Sequence, residues 1–283
     1  MRRRPLLLML AACGAGAAGE PVSLVYPQHD PGRLPQWRYL QELMQLAARH
    51  AGNAYRFVEA AEPMTQARVM RELATHTGRV DLAWTMTSIE RESQMLPVRV
   101  PVDRGLIGCR IAFVRREHTE RWAGLRSLDE LRRYTAGQGQ DWPDTEILRG
   151  NGLPVQAASR YDVLFDMLRR GRIDYFPRAV FEIDDEAGSA LGHDLAIEPH
   201  VLIRYPAASY LFVRADRPQV AADLERGLEA AVGDGSLQKL FHRHFGDLIT
   251  RHRLGHRRTL LLKNPLLPPA TPLDRPAYWI VLG

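Results

Sequence analysis

The sequence predicts an α/β protein of two lobes, each a βα sheet with flanking helices, joined by two crossover strands. Three observations lead there. Apolar, β-branched runs alternate with helical stripes, first from Val22 to Trp84 and again from Ser127 to Phe176. Two long extended segments, "LPVRVPVDRGLIGCRIAFVRRE" and "LAIEPHVLIRYPAASYLFVRAD", flank the second alternation and carry no helix signal. The roughly 260 residues after the N-terminal segment can bury a core as one large domain or as two lobes.

In chain order, "MRRRPLLLMLAACGAGAAGE" has a basic start, a short apolar core and small residues, the pattern of an export signal over 1–18. Two cleavage readings stand. "LAAC" resembles a lipobox that would acylate Cys13 and leave 1–12 as the signal; Ala15-Gly16-Ala17 offers an ordinary site that discards Cys13. Either way the mature chain is expected in the periplasm. "VSLVY" then reads as a strand, 34–51 as a helix with its stripe on Leu40, Leu43, Met44, Ala47 and Ala48, and "YRFVEA" as a strand. Residues 64–76 read as a helix and "VDLAW" as a third strand, and this βαβαβ order requires parallel strands with crossover helices. After the first extended segment a helix is expected near 127–133, then "RYTAG", the loop "GQGQDWPD", the strand "LPVQAA", a helix at 161–170 stopped by Gly171, and "IDYF". The second extended segment leads to helices near 218–232 and 237–245. The expected division is 20–110 with 207–250 as the first lobe, 111–206 as the second, and 251–283 as a basic, Pro-rich tail along the surface.

Composition narrows the function classes. The formal charge is +5, but removing Arg2, Arg3 and Arg4 takes the basic residues from 38 to 35 against 33 acidic ones. A nucleic-acid binder should keep a strong basic stripe, so that class is disfavoured. The local exception is "RHRLGHRR", 251–258, read as a solvated basic face or a membrane-surface contact. Cys109, in "LIGCRIAFV", is the one cysteine besides Cys13 and reads as a buried apolar residue. The histidines at 242, 244, 252 and 256 lack the spacing of a metal set, and no cofactor motif is present.

Ligands of open α/β sheets bind beyond the C-terminal ends of the strands. That rule selects Tyr26, Trp84, Thr85 and Thr87 in the first lobe, and Gln138, Gln140, Asp141, Trp142 and the Pro177-Arg178 pair in the second. Thr85 and Thr87 alternate along a strand end, so both are expected to face the cleft. Arg178 sits just past a strand end, where it would meet either a ligand anion or Glu182. The glycines of "GQGQDWPD" would let backbone N–H groups approach a ligand, with Asp144-Thr145 capping the helix that follows and the loop forming a cleft wall.

The ordered motifs "VDLAWTMTSIERES" with "VPVDRGLIGCRIAFV", "SRYDVLFDMLRRGRIDYF" and "LERGLEAAVGDGSLQKLFHRHFG" resemble the type II periplasmic substrate-binding proteins of the amino-acid-binding branch, family 3, over about 22–247. "GQGQDWPDTEIL" and "DYFPR" are similar to signatures of a narrower proteobacterial group of solute-binding domains. The resemblance implies a two-lobed protein that closes on an amino acid or other carboxylate, with Arg91 gripping the ligand carboxylate. It also implies a permease or a membrane sensor as partner, for ABC-type transport or signalling, and a monomer. A dehydratase-like enzyme on the same fold, or an interaction module without a solute, are the alternatives. The acidic run Glu182, Asp184, Asp185 and Glu186 is the only feature that would serve the enzyme reading.

Overall fold

The computed structural model describes residues 20–28, 37–52 and 55–282. The expected export segment with Cys13, the turn after Gln28 and the first expected positions of the next helix lie outside the described residues.

The chain opens as β1 (Val22–Gln28), α1 (Trp37–His50) and β2 (Tyr55–Pro63), with β1 and β2 parallel as the βαβ order requires. The apolar stripe of α1 is its buried face, including Leu40, Leu43, Met44, Ala47 and Ala48. Next come α2 (Gln66–Ala74), β3 (Leu82–Met86), α3 (Ile89–Gln94) and β4 (Leu96–Val98). The third strand departs from a simple parallel sheet. Just before β3, the Asp81 amide donates to the Val25 carbonyl at 2.7 Å, and the Val25 amide donates back to the Asp81 carboxylate at 2.8 Å. A side chain thus replaces the next ladder bond, and Arg214 and Arg217 balance its charge.

The second body begins with β5 (Cys109–Val114), α4 (Leu128–Leu131), β6 (Ala136–Gly139), α5 (Pro143–Gly150), β7 (Val155–Ala158), α6 (Tyr161–Arg169) and β8 (Phe176–Ala179). Strands β6 and β7 are parallel, and Ala136 forms a parallel bridge to Tyr175 beside β8, so the second alternation also becomes a βαβαβ unit. Then follow α7 (Ile183–Gly188), β9 (Ala196–Ile197), β10 (Val201–Arg204), β11 (Ser209–Val213), α8 (Pro218–Gly233) and α9 (Ser236–Arg251), and finally β12 (Arg258–Leu261). Strand β5 pairs with β10, β8 and β9, whereas β11 inserts between β3 and β4 in the first body.

The two extended segments therefore each leave one sheet and enter the other, β4 to β5 and β10 to β11. Besides these ladders they touch between the sheets: the Val102 amide donates to the Ser209 carbonyl at 2.8 Å, the Tyr205 amide donates to the Gly108 carbonyl at 3.1 Å, and a Cβ on Gly108 would stand 2.1 Å from the Tyr205 carbonyl oxygen. Only glycine permits that approach. Cys109, next in line, is fully buried with its thiol pushed up to about 11 by burial.

The segment after 251 is not a surface tail. Its "RTLLL" run alternates, burying Leu260 and Leu262 and exposing Leu261, and β12 pairs in parallel with β10. Further on, Tyr278 and Ile280 are buried. The Ile280 amide donates to the Arg104 carbonyl at 2.8 Å, and Arg104 donates to the Trp279 carbonyl at 3.0 Å. The terminal segment thus runs from the second sheet back to the crossover. Among the described residues no helix is long and apolar enough to cross a membrane.

Candidate functional site

A cavity of about 380 Å³ lies where the ends of β3 and β8, the helix α3 and the crossover strands converge. Five of the residues selected from sequence line it: Trp84, Thr85, Arg91, Trp142 and Arg178.

Arg91 is placed by local chemistry. Ser88 caps α3 by accepting from the Arg91 amide, which sets the helix start and turns the arginine back over the end of β3. Its Nη1 donates to the Thr85 hydroxyl at 2.8 Å and to the Met86 carbonyl. Neither neighbouring glutamate holds it. Glu92 binds Arg99 and accepts from Thr87, while Glu90 is exposed; no carboxylate of the described residues lies within 4.0 Å of the guanidinium. Burial accordingly pulls the Arg91 guanidinium below its ordinary range, with only Glu90 opposing. Thr85 also accepts from Gln66 at 3.0 Å, so its own hydroxyl hydrogen is left for an acceptor in the cavity.

The facing wall is built differently. Arg178 donates both Nε and Nη2 to Glu186, at 2.8 and 2.6 Å, and pairs with Glu182 at 3.0 Å. Its guanidinium carbon lies 4.7 Å from the Trp142 ring centre and 5.2 Å from that of Phe176. Arg110, from β5, pairs with Asp144 at 2.8 Å and donates to the Tyr205 hydroxyl at 2.7 Å; that hydroxyl in turn donates to Asp144. Burial would lower both guanidiniums, but their carboxylates overrule it and hold both above the ordinary range. Burial raises Glu182, assisted by Glu186. Asp103 is the remaining acid on the cavity; burial pushes it up to about 6, although the Ile107 and Gly105 amides donate to it.

The other six selected residues, Tyr26, Thr87, Gln138, Gln140, Asp141 and Pro177, are not on the cavity. Tyr26 points to the opposite side of β1 from Pro27, which does line it; its hydroxyl accepts from Gln41, and its ring packs 5.1 Å from Trp37. Thr87 lies beyond the end of β3, where the alternation stops: its amide donates to Ala208 and its hydroxyl to Glu92. Gln138 is 1% exposed, wedged between β6 and β8, with Nε2 donating to the Pro177 carbonyl at 3.3 Å. Asp141 faces solvent, as does Gln140.

The loop glycines also differ from expectation. A Cβ on Gly139 would stand 2.4 Å from the Trp142 ring and one on Gly137 2.2 Å from Ile173, so both glycines make room for packing. The Gly137 and Gln140 amides are spent on Tyr175 and Ala158. Asp144 makes no helix cap either; it serves Arg110 and Tyr205, while Thr145 donates back to Gly139. The loop forms a wall of the cavity through Trp142, Pro143 and Asp144.

Sequence reasoning missed Asp103, Arg110 and Asp144. A usable signal existed for two of them. Asp103 and Arg110 are charges inside an apolar, β-branched run, and a charge buried there must be paired or hydrogen-bonded.

Comparison with known proteins adds the fold. No family model matches the sequence, and no curated protein matches it. A probable amino-acid ABC transporter extracellular-binding protein from Bacillus subtilis is similar in structure, with a TM-score of 0.61 and 16% identity over 81% of this chain and 99% of that one. An ancestral arginine-binding protein bound to arginine gives 0.57 and 15%, over 79% and 98%. A histidine kinase sensor domain with similarity to periplasmic binding proteins gives 0.53 and 19%, over 80% and 96%. The chain has the type II periplasmic-binding-protein fold, as expected.

Proposed function

We propose that this chain is an extracytoplasmic solute-binding protein that closes by hinge motion on a small carboxylate, an α-amino acid first among them. The observation that carries the reading is Arg91, a half-buried cation on the cavity with a hydroxyl donor beside it and no acid of its own among the described residues. A guanidinium and a hydroxyl presented together match the two oxygens of a carboxylate. Asp103, whose carboxylate is held by backbone amides, would accept the ammonium group. Trp84, Met64, Val69 and Met70 would cover the apolar part of the solute.

The contact of the two crossovers at Gly108 and Tyr205 is the natural pivot, and ligand bridging the two walls would favour the closed state. The fold neighbours include both a transporter binding protein and a sensor domain, which supports two uses of that state, delivery to an ABC-type permease or signalling through a membrane sensor. Export through 1–18, or a lipid anchor at Cys13, belongs to the same reading, as do a monomeric chain and membership of the signature group. Binding is favoured over catalysis because Glu182 and Asp144 are each held by an arginine, which leaves neither free to act as a base.

Heat unfolding of the chain against amino acids, other carboxylates and polyamines tests this. A ligand at about 100 times its Kd adds roughly 2.7 kcal/mol and raises the midpoint by several degrees. A shift confined to carboxylates is expected; a shift with polyamines alone, or with nothing, overturns the proposal.

A further inference from the structure

A second cavity, of about 220 Å³, shares none of the lining residues of the first. Its walls are Trp122, His200 in the turn before β10, Arg253, His256 and Arg257 in the turn between α9 and β12, and Arg258 at the start of β12. This is the "RHRLGHRR" run, which the solute cleft does not use. The fold divides its charges. Arg251 and His252 turn to Asp184, each at 2.7 Å, and are balanced there. The other three arginines go to the cavity.

Arg257 is buried and tied down: Nε donates to the His252 carbonyl at 2.7 Å, and Nη1 reaches the Glu198 carbonyl at 2.6 Å and its carboxylate at 3.3 Å. Arg258 donates one nitrogen to the Leu125 carbonyl. Among the described residues no carboxylate lies within 4.0 Å of Arg253 or Arg258. Three guanidiniums and two imidazoles therefore line one concave site, where their field is concentrated, and Glu198 balances Arg257 alone. The proximity of Arg253 is one of the influences that lower Arg257, after burial.

Two further features concern the same walls. The Nε2 of His200 is shielded from solvent and has no hydrogen-bond partner among the described residues. Arg253 has φ 50 and ψ 44, the left-handed conformation that L-residues with a side chain adopt only at a cost. A large cation holding that position, where glycine would sit without strain, is a reason to look for a role for its side chain.

We propose that this cavity binds the phosphate group of an anionic ligand, with Arg253 and Arg258 as the principal donors and His200 and His256 completing the set. A phosphate supplies several acceptor oxygens and up to two negative charges, which matches converging donors and an unbalanced excess of arginine better than one carboxylate would. The group could come from free phosphate or from the headgroup of an anionic lipid. The site does not depend on the solute cleft.

The test uses the purified full chain at low ionic strength. Calorimetric titration with inorganic phosphate examines the first source, and co-sedimentation with phosphatidylglycerol vesicles, against phosphatidylcholine, examines the second. One or both probes should bind, and Arg253→Gly and Arg258→Gln should each weaken that binding by about tenfold or more. Arg253→Gly suits the left-handed position, so its unfolding midpoint should not fall, and it decides the matter if Arg258→Gln folds poorly. Phosphate binding without sedimentation assigns the free anion; sedimentation with phosphatidylglycerol alone assigns the headgroup. Failure of both probes, or binding unchanged in Arg253→Gly, overturns the proposal.

Discussion

Arg91 and Arg178 line the same cavity from opposite walls, and both are withdrawn from solvent, yet their surroundings differ in one respect. Arg178 is clamped by Glu182 and Glu186 and stacked on Trp142, whereas among the described residues the Arg91 guanidinium bonds only to a hydroxyl and a carbonyl. The acids around Arg178 overrule burial and raise that guanidinium; burial lowers the other because no acid opposes it at close range. Position near a strand end, where Arg178 falls within β8 rather than past it, is therefore a weak guide to a ligand contact. What separates a receptor arginine from a scaffold arginine is whether the protein already supplies its anion.

Breaking the scaffold side should have the largest effect. Arg178→Ala leaves the half-buried Glu186 without its cation and Glu182 with only Arg110 at 3.8 Å, which should cost about 3–5 kcal/mol in denaturant unfolding. A loss below about 1 kcal/mol would erase the distinction between the two walls.

Asp103 gives a pH-dependent version of the contrast. Its folded value, about 6, lies above the ordinary carboxylate value of about 3.9. The empty fold thus binds this proton more tightly than the unfolded chain does, so its stability rises as pH falls from above 6 toward 4. A gap of about two pH units between the folded and unfolded values corresponds to about 3 kcal/mol. Affinity for an amino acid should move the opposite way, weakening below about pH 6 as Asp103 loses its charge. Unfolding midpoints and titrations at pH 5 and 7.5 check both trends, and Asp103→Asn should flatten each.

A smaller effect is expected from Gly139→Ala. The added Cβ displaces Trp142 from beneath Arg178, at about 1–3 kcal/mol in unfolding, and leaves the Arg91 side untouched. Equal stability would mean that the Trp142 wall is loosely packed.

Much of the fold was legible because it is written in local periodicities. The stripe of α1, the strand-like runs of β1 and β2, and the second βαβαβ unit need only neighbouring residues to be recognised. Strand β3 was located, but its partner β11 lies more than a hundred residues away, and no local pattern announces such a pairing. The terminal segment was misjudged for a related reason: its prolines read as surface, while Leu260, Leu262, Tyr278 and Ile280 are the residues that dock it. In the site, Trp84, Thr85, Arg91, Trp142 and Arg178 were reachable from the strand-end rule. Thr87 was not, since the rule assumes that the alternation continues past Met86. Arg110 and Asp144 meet across the second body, between a crossover strand and the start of α5, and that contact exists only once the chain is folded.

The central claim is that Arg91 is kept without an acid for a ligand carboxylate. Titration of the best carboxylate ligand into the chain and into Arg91→Met, with unfolding of both, tests it most directly. The account predicts that affinity falls by about a hundredfold or more, while unfolding stability changes by less than about 1 kcal/mol because no carboxylate is orphaned. Retained affinity in a folded Arg91→Met protein, or a collapse of stability as large as that of Arg178→Ala, would contradict it.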